Sequence, residues 1–259
     1  MTDAPSTLDV LMDIRPHADG YEAQTTPTPH GGIFGAFLLF QQVLIAERAV
    51  PGKRVITIQT VFANSGASGQ PCQVSIDTLQ NGRSFAFLTL TFRQGDLIVT
   101  RAEIMLTVDE ADYVHHRNTP PAPAGAREWP EGSMGLWPGA VDRWPGSSLD
   151  ELALRFSLAE QPDASVSRAL VALATEPAVM ASLTGFMTLK AASPGRMAGN
   201  VLTQTITLLE PADLVAGVIV GSTARYAGQG RVHGDGRVLS VDGNLLGTFA
   251  TTGVLREPR

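Results

Sequence analysis

The sequence predicts an α+β protein in which two antiparallel sheets are each curled around a long helix. Three observations carry this expectation. A helical stretch early in the chain has no charged face over its first two-thirds. A series of strand-like runs joined by hairpin turns follows it. The same order, helix and then strands, returns in the second half.

The early helix spans Gly31–Val50, with Glu47-Arg48 in its last turn. A helix that is apolar all round must be enclosed. Its uninterrupted apolar runs fall well short of the roughly 18 residues of a membrane span, so protein must wrap it. Gln41 and Gln42 lie among its apolar residues, and a buried glutamine must find hydrogen-bond partners.

The strands follow in order. Arg54–Phe62 alternates and is rich in β-branched residues, which favours an extended chain. The turn cluster Asn64–Gly69 precedes Cys72–Leu79, and Gln80-Asn81-Gly82 turns into Ser84–Arg93. Gln94-Gly95-Asp96 then leads to Leu97–Val108. Asn-Gly and Gly-Asp between alternating runs are hairpin signals.

From Asp109 to Ser148 the character changes. Each of the three tryptophans stands before a proline, at Trp129, Trp137 and Trp144, and a residue before proline is pushed out of the α region. This stretch reads as a crossover linker pinned by its indoles, or as a lid or oligomer contact. The organisation expected is a first unit over 1–110, a linker over 111–148 and a second unit over 149–259.

The second unit repeats the first. A helical stretch, Ser165–Leu183, precedes Gly199–Leu209, Leu214–Thr223, Arg231–Val241 and Leu245–Leu255. Ile58-Gln59-Thr60-Val61 is matched to Thr203-Gln204-Thr205-Ile206, and Gln94–Ile98 to Asp242–Leu246. This parallel argues for duplication. An amphipathic meander cannot bury its apolar face alone, and in each unit the helix supplies the filling.

Bulk properties narrow the function. The chain has 259 residues, 44% apolar and 17% charged, a composition that builds a core rather than a disordered segment. A net charge of −6 disfavours general nucleic-acid binding. The single cysteine, Cys72, rules out an intramolecular disulfide framework. His115-His116 lacks partners at metal-ligand spacing, so no metal and no cofactor are expected. The first residues carry no secretory signal, and a cytoplasmic location is the expectation.

His30-Gly31-Gly32-Ile33-Phe34-Gly35, Leu79-Gln80-Asn81-Gly82-Arg83-Ser84-Phe85, Asp242-Gly243-Asn244-Leu245-Leu246 and Gly253-Val254-Leu255-Arg256 together resemble the acyl-CoA thioesterase II family. The resemblance covers most of the chain except the tryptophan segment. It implies a double hot-dog fold and hydrolysis of an acyl-CoA by direct attack of water. In that family an aspartate, a serine or threonine, and a glutamine hold the water. What the resemblance implies here is Thr203 at the aspartate position, Ser222-Thr223 at the hydroxyl position and Thr251 at the glutamine position. A threonine hydroxyl orients water but cannot unaided act as a base near neutral pH.

Further candidates surround this set. His30, Gly31 and Gly32 could bind substrate at the positive end of the helix, although His30 there also suits a structural role. Arg83 and Ser84 shape a hairpin or contact a CoA phosphate, and Arg225 and Arg231 carry the same ambiguity. Asp77 is a substitute base or a solvated strand residue. Two functions from different classes follow: a thioesterase acting on a fatty or aromatic acyl-CoA, and a non-catalytic acyl-CoA or acyl-carrier binding protein. A hydratase is disfavoured, since no Asp-x-Asn-Pro-x-His run occurs. No membrane span is expected, and a homo-oligomer is.

Overall fold

A computed structural model describes residues 5–18, 20–114, 116, 139–143, 151–158, 160–188, 198–210 and 213–256. A short helix, α1 (Thr7–Met12), opens this part and is capped reciprocally by Ser6 and Asp9. Strands β1 (Ile14–His17) and β2 (Gly20–Ala23) form a hairpin after it. The hydrophobic pattern of so short a stretch did not announce these three elements.

Helix α2 runs Gly35–Ala49, starting four residues later than expected. Gly31 holds φ +76°, a left-handed value no helix contains. The Ile33 N–H donates to the Ser65 carbonyl, which keeps this approach extended. Every residue from Ala36 to Ala46 is buried, so the helix is enclosed. Both glutamines are buried and bonded. Gln41 Nε2 donates to the Gln24 carbonyl at 2.7 Å, and Gln42 Oε1 accepts from Thr60 Oγ1 at 2.7 Å.

Strands β3 (Arg54–Phe62), β4 (Cys72–Asn81), β5 (Phe85–Gln94) and β6 (Leu97–Thr107) complete the first half. Gly139–Arg143, within the stretch read as a linker, forms strand β7, and β8 covers Glu151–Phe156. All three tryptophans and His115 lie outside the described residues. Helix α3 (Ala164–Thr188) is longer than expected and continues through Pro177. Strands β9 (Ala198–Leu208), β10 (Val218–Gly228), β11 (Arg231–Ser240) and β12 (Leu245–Arg256) follow.

The expectation of two separate sheets needs correction. Among the described residues the strands form one twelve-stranded sheet, in the order β1-β2-β4-β5-β6-β3-β9-β12-β11-β10-β8-β7. Strands β3 and β9 pair antiparallel from Thr57↔Thr207 to Val61↔Thr203. Each would otherwise be an open edge with unpaired N–H and C=O groups, and joining them satisfies both. Read from its two ends, the order is the same series of elements twice. The helices pack on each other inside the curl, and residues of both share one core cluster.

Between the helices, Glu47 near the end of α2 meets Arg168 near the start of α3. Arg168 Nε and Nη2 donate to the two carboxylate oxygens at 2.6 and 2.7 Å. The Val55 N–H donates to Glu47 Oε1 as well. Among the described residues, no helix is long and apolar enough to cross a membrane.

Candidate active site

A cavity of about 520 Å³ opens at the beginning of α2. His30, Gly31 and Gly32 line it, together with Leu38, Phe62 and Leu202 from the apolar side. The loop carrying Asn64, Ser65 and Gly66 closes one wall, and Asn200 and Val254 stand on another. Glu176 of α3 also faces this space.

Glu176 is the chemically unusual group here. Its side chain is 6% exposed, and burial pushes its carboxyl up to about 8, against a smaller opposing pull from the Ala36 N–H that it accepts. Its Oε2 is buried and has no hydrogen-bond partner. A desolvated carboxyl with one satisfied and one open oxygen, set in a cleft, is a candidate general base. Gly35 makes this approach possible. A Cβ there would sit 2.9 Å from Glu176 Oε1 and 3.1 Å from Phe62 Cε1, so the first turn of α2 can lie against the carboxyl only as glycine.

The expected site residues are distributed unevenly around this point. His30 and Gly31 are exposed at the mouth and Gly32 is buried behind them. Thr251 is 2% exposed, on the strand pair Thr251↔Gln204 beside Thr60↔Gln204. Its Oγ1 has no partner. Gln204, in the same row, donates from Nε2 to Thr175 Oγ1 at 2.5 Å. Ser222 is buried as well.

Thr203 departs from expectation. It is exposed, whereas its neighbours Gln204 and Ile206 are buried. Adjacent strand residues face opposite sides, so Thr203 points off the outer face, away from the helices. Thr223 is exposed likewise, over a second outer group where Arg225 pairs with Asp235 at 2.5 Å. Asp77 is exposed. The match of Ile58-Gln59-Thr60-Val61 to Thr203–Ile206 is therefore out of step by one residue, since Ile58 and Thr60 face inward with Gln204 and Ile206.

Arg83 and Ser84 lie far from this cavity along the sheet. The Val108 N–H donates to the Ser84 carbonyl, and Lys53 Nζ donates to Asn81 Oδ1 and the Gly82 carbonyl. That places the hairpin at the end of β6 and the start of β3.

Residues 23–107 match the sequence family described as the acyl-CoA thioesterase N-terminal domain. Over those residues the chain is similar to the acyl-CoA thioesterase N-terminal domain. The structure agrees over nearly the whole length of several solved members of this fold. The tesB protein of Mycobacterium avium subsp. paratuberculosis is 20% identical, with 96% of this chain and 98% of that chain covered at a TM-score of 0.77. The acyl-CoA thioesterase II TesB2 of Mycobacterium marinum is 16% identical, with 97% of both chains covered at 0.78. A hot-dog protein of Alicyclobacillus acidocaldarius is 18% identical, covering 99% and 100% at 0.76. No curated protein sequence matches the chain. These likenesses show a hot-dog fold along nearly the whole chain.

Glu176 escaped the sequence reading, although a signal was present. It is the one carboxylate within the apolar run that begins at Ala169 and continues past Val179. An acid in a helix that must be enclosed is either paired or functional.

Proposed function

We propose that this chain hydrolyses acyl-CoA thioesters by direct attack of a water that Glu176 activates. The observation that carries the reading is the open Oε2 of Glu176, buried beside a cavity at the positive end of α2. Ionised Glu176 takes a proton from water, and the resulting hydroxide adds to the thioester carbonyl carbon. The oxyanion forms next to the first turn of α2, whose dipole favours negative charge. Collapse breaks the C–S bond. CoA leaves as thiolate and takes up the proton held by Glu176, so one thioester and one water give one acid and one thiol.

Ile33, Leu38, Phe62, Leu202 and Val254 give the cavity an apolar wall, which suits a fatty or aromatic acyl group. Thr251 and Gln204 serve as the polar floor behind the carboxyl and steady the site rather than perform a proton transfer. Hydrolysis should show as free thiol release across an acyl-CoA chain-length series. Absence of turnover above buffer at every chain length, at pH 9 as well as pH 7, would remove the proposal in favour of simple acyl-CoA binding.

A further inference from the structure

The two halves share more than a strand order. Glu47 and Glu176 each stand twelve residues after the first residue of their helix, Gly35 in α2 and Ala164 in α3. Each faces a cavity at the start of the opposite helix. The second cavity, about 490 Å³, is lined by Ser165 and Val166 of α3, by Glu47, by Arg54 at the start of β3 and by Asp109 beyond β6. The first is built from the counterpart places: the start of α2, Glu176, the start of β9 and the end of β12. The two cavities occupy corresponding places in the two halves.

Their chemistry differs. Arg168 holds Glu47 through both carboxylate oxygens, and the Val55 N–H adds a third bond. In the other half, the counterpart of Arg168 five residues into the helix is Leu39, and Glu176 keeps an open oxygen. Each helix start has one N–H taken by a carboxylate: Asp163 Oδ1 accepts the Val166 N–H at 2.8 Å in α3, as Glu176 accepts the Ala36 N–H in α2. What the second cavity lacks, among the described residues, is a buried carboxylate oxygen without a partner, which Glu176 offers in the first. It therefore has no counterpart of the group that activates water in the first.

What it has instead is cationic charge at its rim. Arg48 and Lys53 line it and are bonded to neutral oxygens: Arg48 Nη1 to the Ile14 carbonyl, Lys53 Nζ to Asn81 and Gly82. With Arg54 and Arg168 they face Glu47, Asp109 and Asp163, so the lining carries four cations against three carboxylates, and the hydrogen bonds of Arg48 and Lys53 go to neutral acceptors. The Gly82-Arg83-Ser84 hairpin adjoins Lys53. We infer that the second cavity is a non-hydrolysing binding site for CoA, whose phosphates meet Arg48 and Lys53. It rests on the reading of the first cavity as a thioesterase site, because it takes the same ligand class at the counterpart place.

The test counts equivalents of CoA bound to the full chain by titration calorimetry, with ADP as a second titrant. The expected result is two equivalents of CoA for the unaltered chain and for Glu176→Gln, and one for Arg48→Ala/Lys53→Ala. Ser165→Trp, which places an indole in the second cavity and removes neither cation, should also leave one. ADP alone should compete at the second site if phosphate contacts dominate it. One equivalent for the unaltered chain, or two that survive both second-cavity variants, overturns the proposal. Thiol release with only one equivalent bound would leave the hydrolase reading standing while removing the second site. Neither thiol release nor binding would remove both.

Discussion

Glu176→Gln separates the chemistry of the first cavity from its architecture. Glutamine has nearly the same shape and can still accept the Ala36 N–H, but it cannot take a proton. The unaltered carboxyl titrates at about 8. At pH 7 roughly one-tenth of it is ionised and at pH 9 roughly nine-tenths. Hydrolysis at limiting substrate should therefore rise about tenfold between these pH values with a slope of one below pH 8. In Glu176→Gln it should fall at least a hundredfold at pH 9 and lose the rise between pH 7 and pH 9.

Stability should move the other way. The folded-state value lies above the ordinary glutamate value of 4.5, so the folded chain holds the proton longer than the unfolded one. This contribution is full below about pH 4.5 and is lost as pH rises through about 8. The loss is on the order of 5 kcal/mol, at 1.4 kcal/mol per unit. Glutamine never ionises and escapes it, although its new buried NH₂ costs about 1–3 kcal/mol if left unpaired. Urea unfolding at pH 5 and pH 9 should show the variant gaining several kcal/mol on the unaltered chain between them. Parallel stabilities across that range, or undiminished hydrolysis by the variant, would refute the assignment.

Gly35→Ala should cost activity about tenfold or more, because its Cβ meets the Glu176 carboxyl at 2.9 Å; kcat measured at pH 9 checks this, and the gain usual for Gly→Ala in a helix should be missing from its Tm. Arg168→Ala should destabilise by about 3–5 kcal/mol, read by urea unfolding, since it leaves Glu47 buried without its partner. Thr203→Ala should keep hydrolysis within about twofold whereas Thr251→Ala lowers it, a contrast the inward and outward faces of the strands require; steady-state rates of the two variants decide it. Burial pushes the Cys72 thiol up to about 12, so a thiol reagent should detect no signal from the native chain and one equivalent after unfolding.

The enclosed helix, the meander strands and the repeated order of elements were legible because they rest on periodicity. Strand β3 was placed at its observed limits by its β-branched alternation alone. What periodicity could not supply was the closure between the halves, since two edge strands look alike in sequence whether they are free or paired with each other. The site was legible only in part. His30, Gly31 and Gly32 stand at the cavity because a glycine-led helix start is a local signal. Thr203, which the resemblance places at the aspartate position, lies on the exposed face of its strand, and in a strand a step of one residue turns every side chain to the opposite face. Glu176 was within sight but unweighed, because its meaning depends on a glycine 141 positions earlier in the chain that only the packing of α2 on α3 brings near.

The β3–β9 pairing makes the two halves one mechanical body. Severing the chain between β8 and α3 would leave a fragment whose β3 edge is bare and another whose β9 edge is bare. Neither piece would keep a lone helix covered, because each helix is roofed partly by the other. Expressed separately, the pieces should be insoluble; expressed together, they should find each other along that seam and restore a single sheet. A sheet that uses one series of strands twice is indivisible at the place where the two series meet.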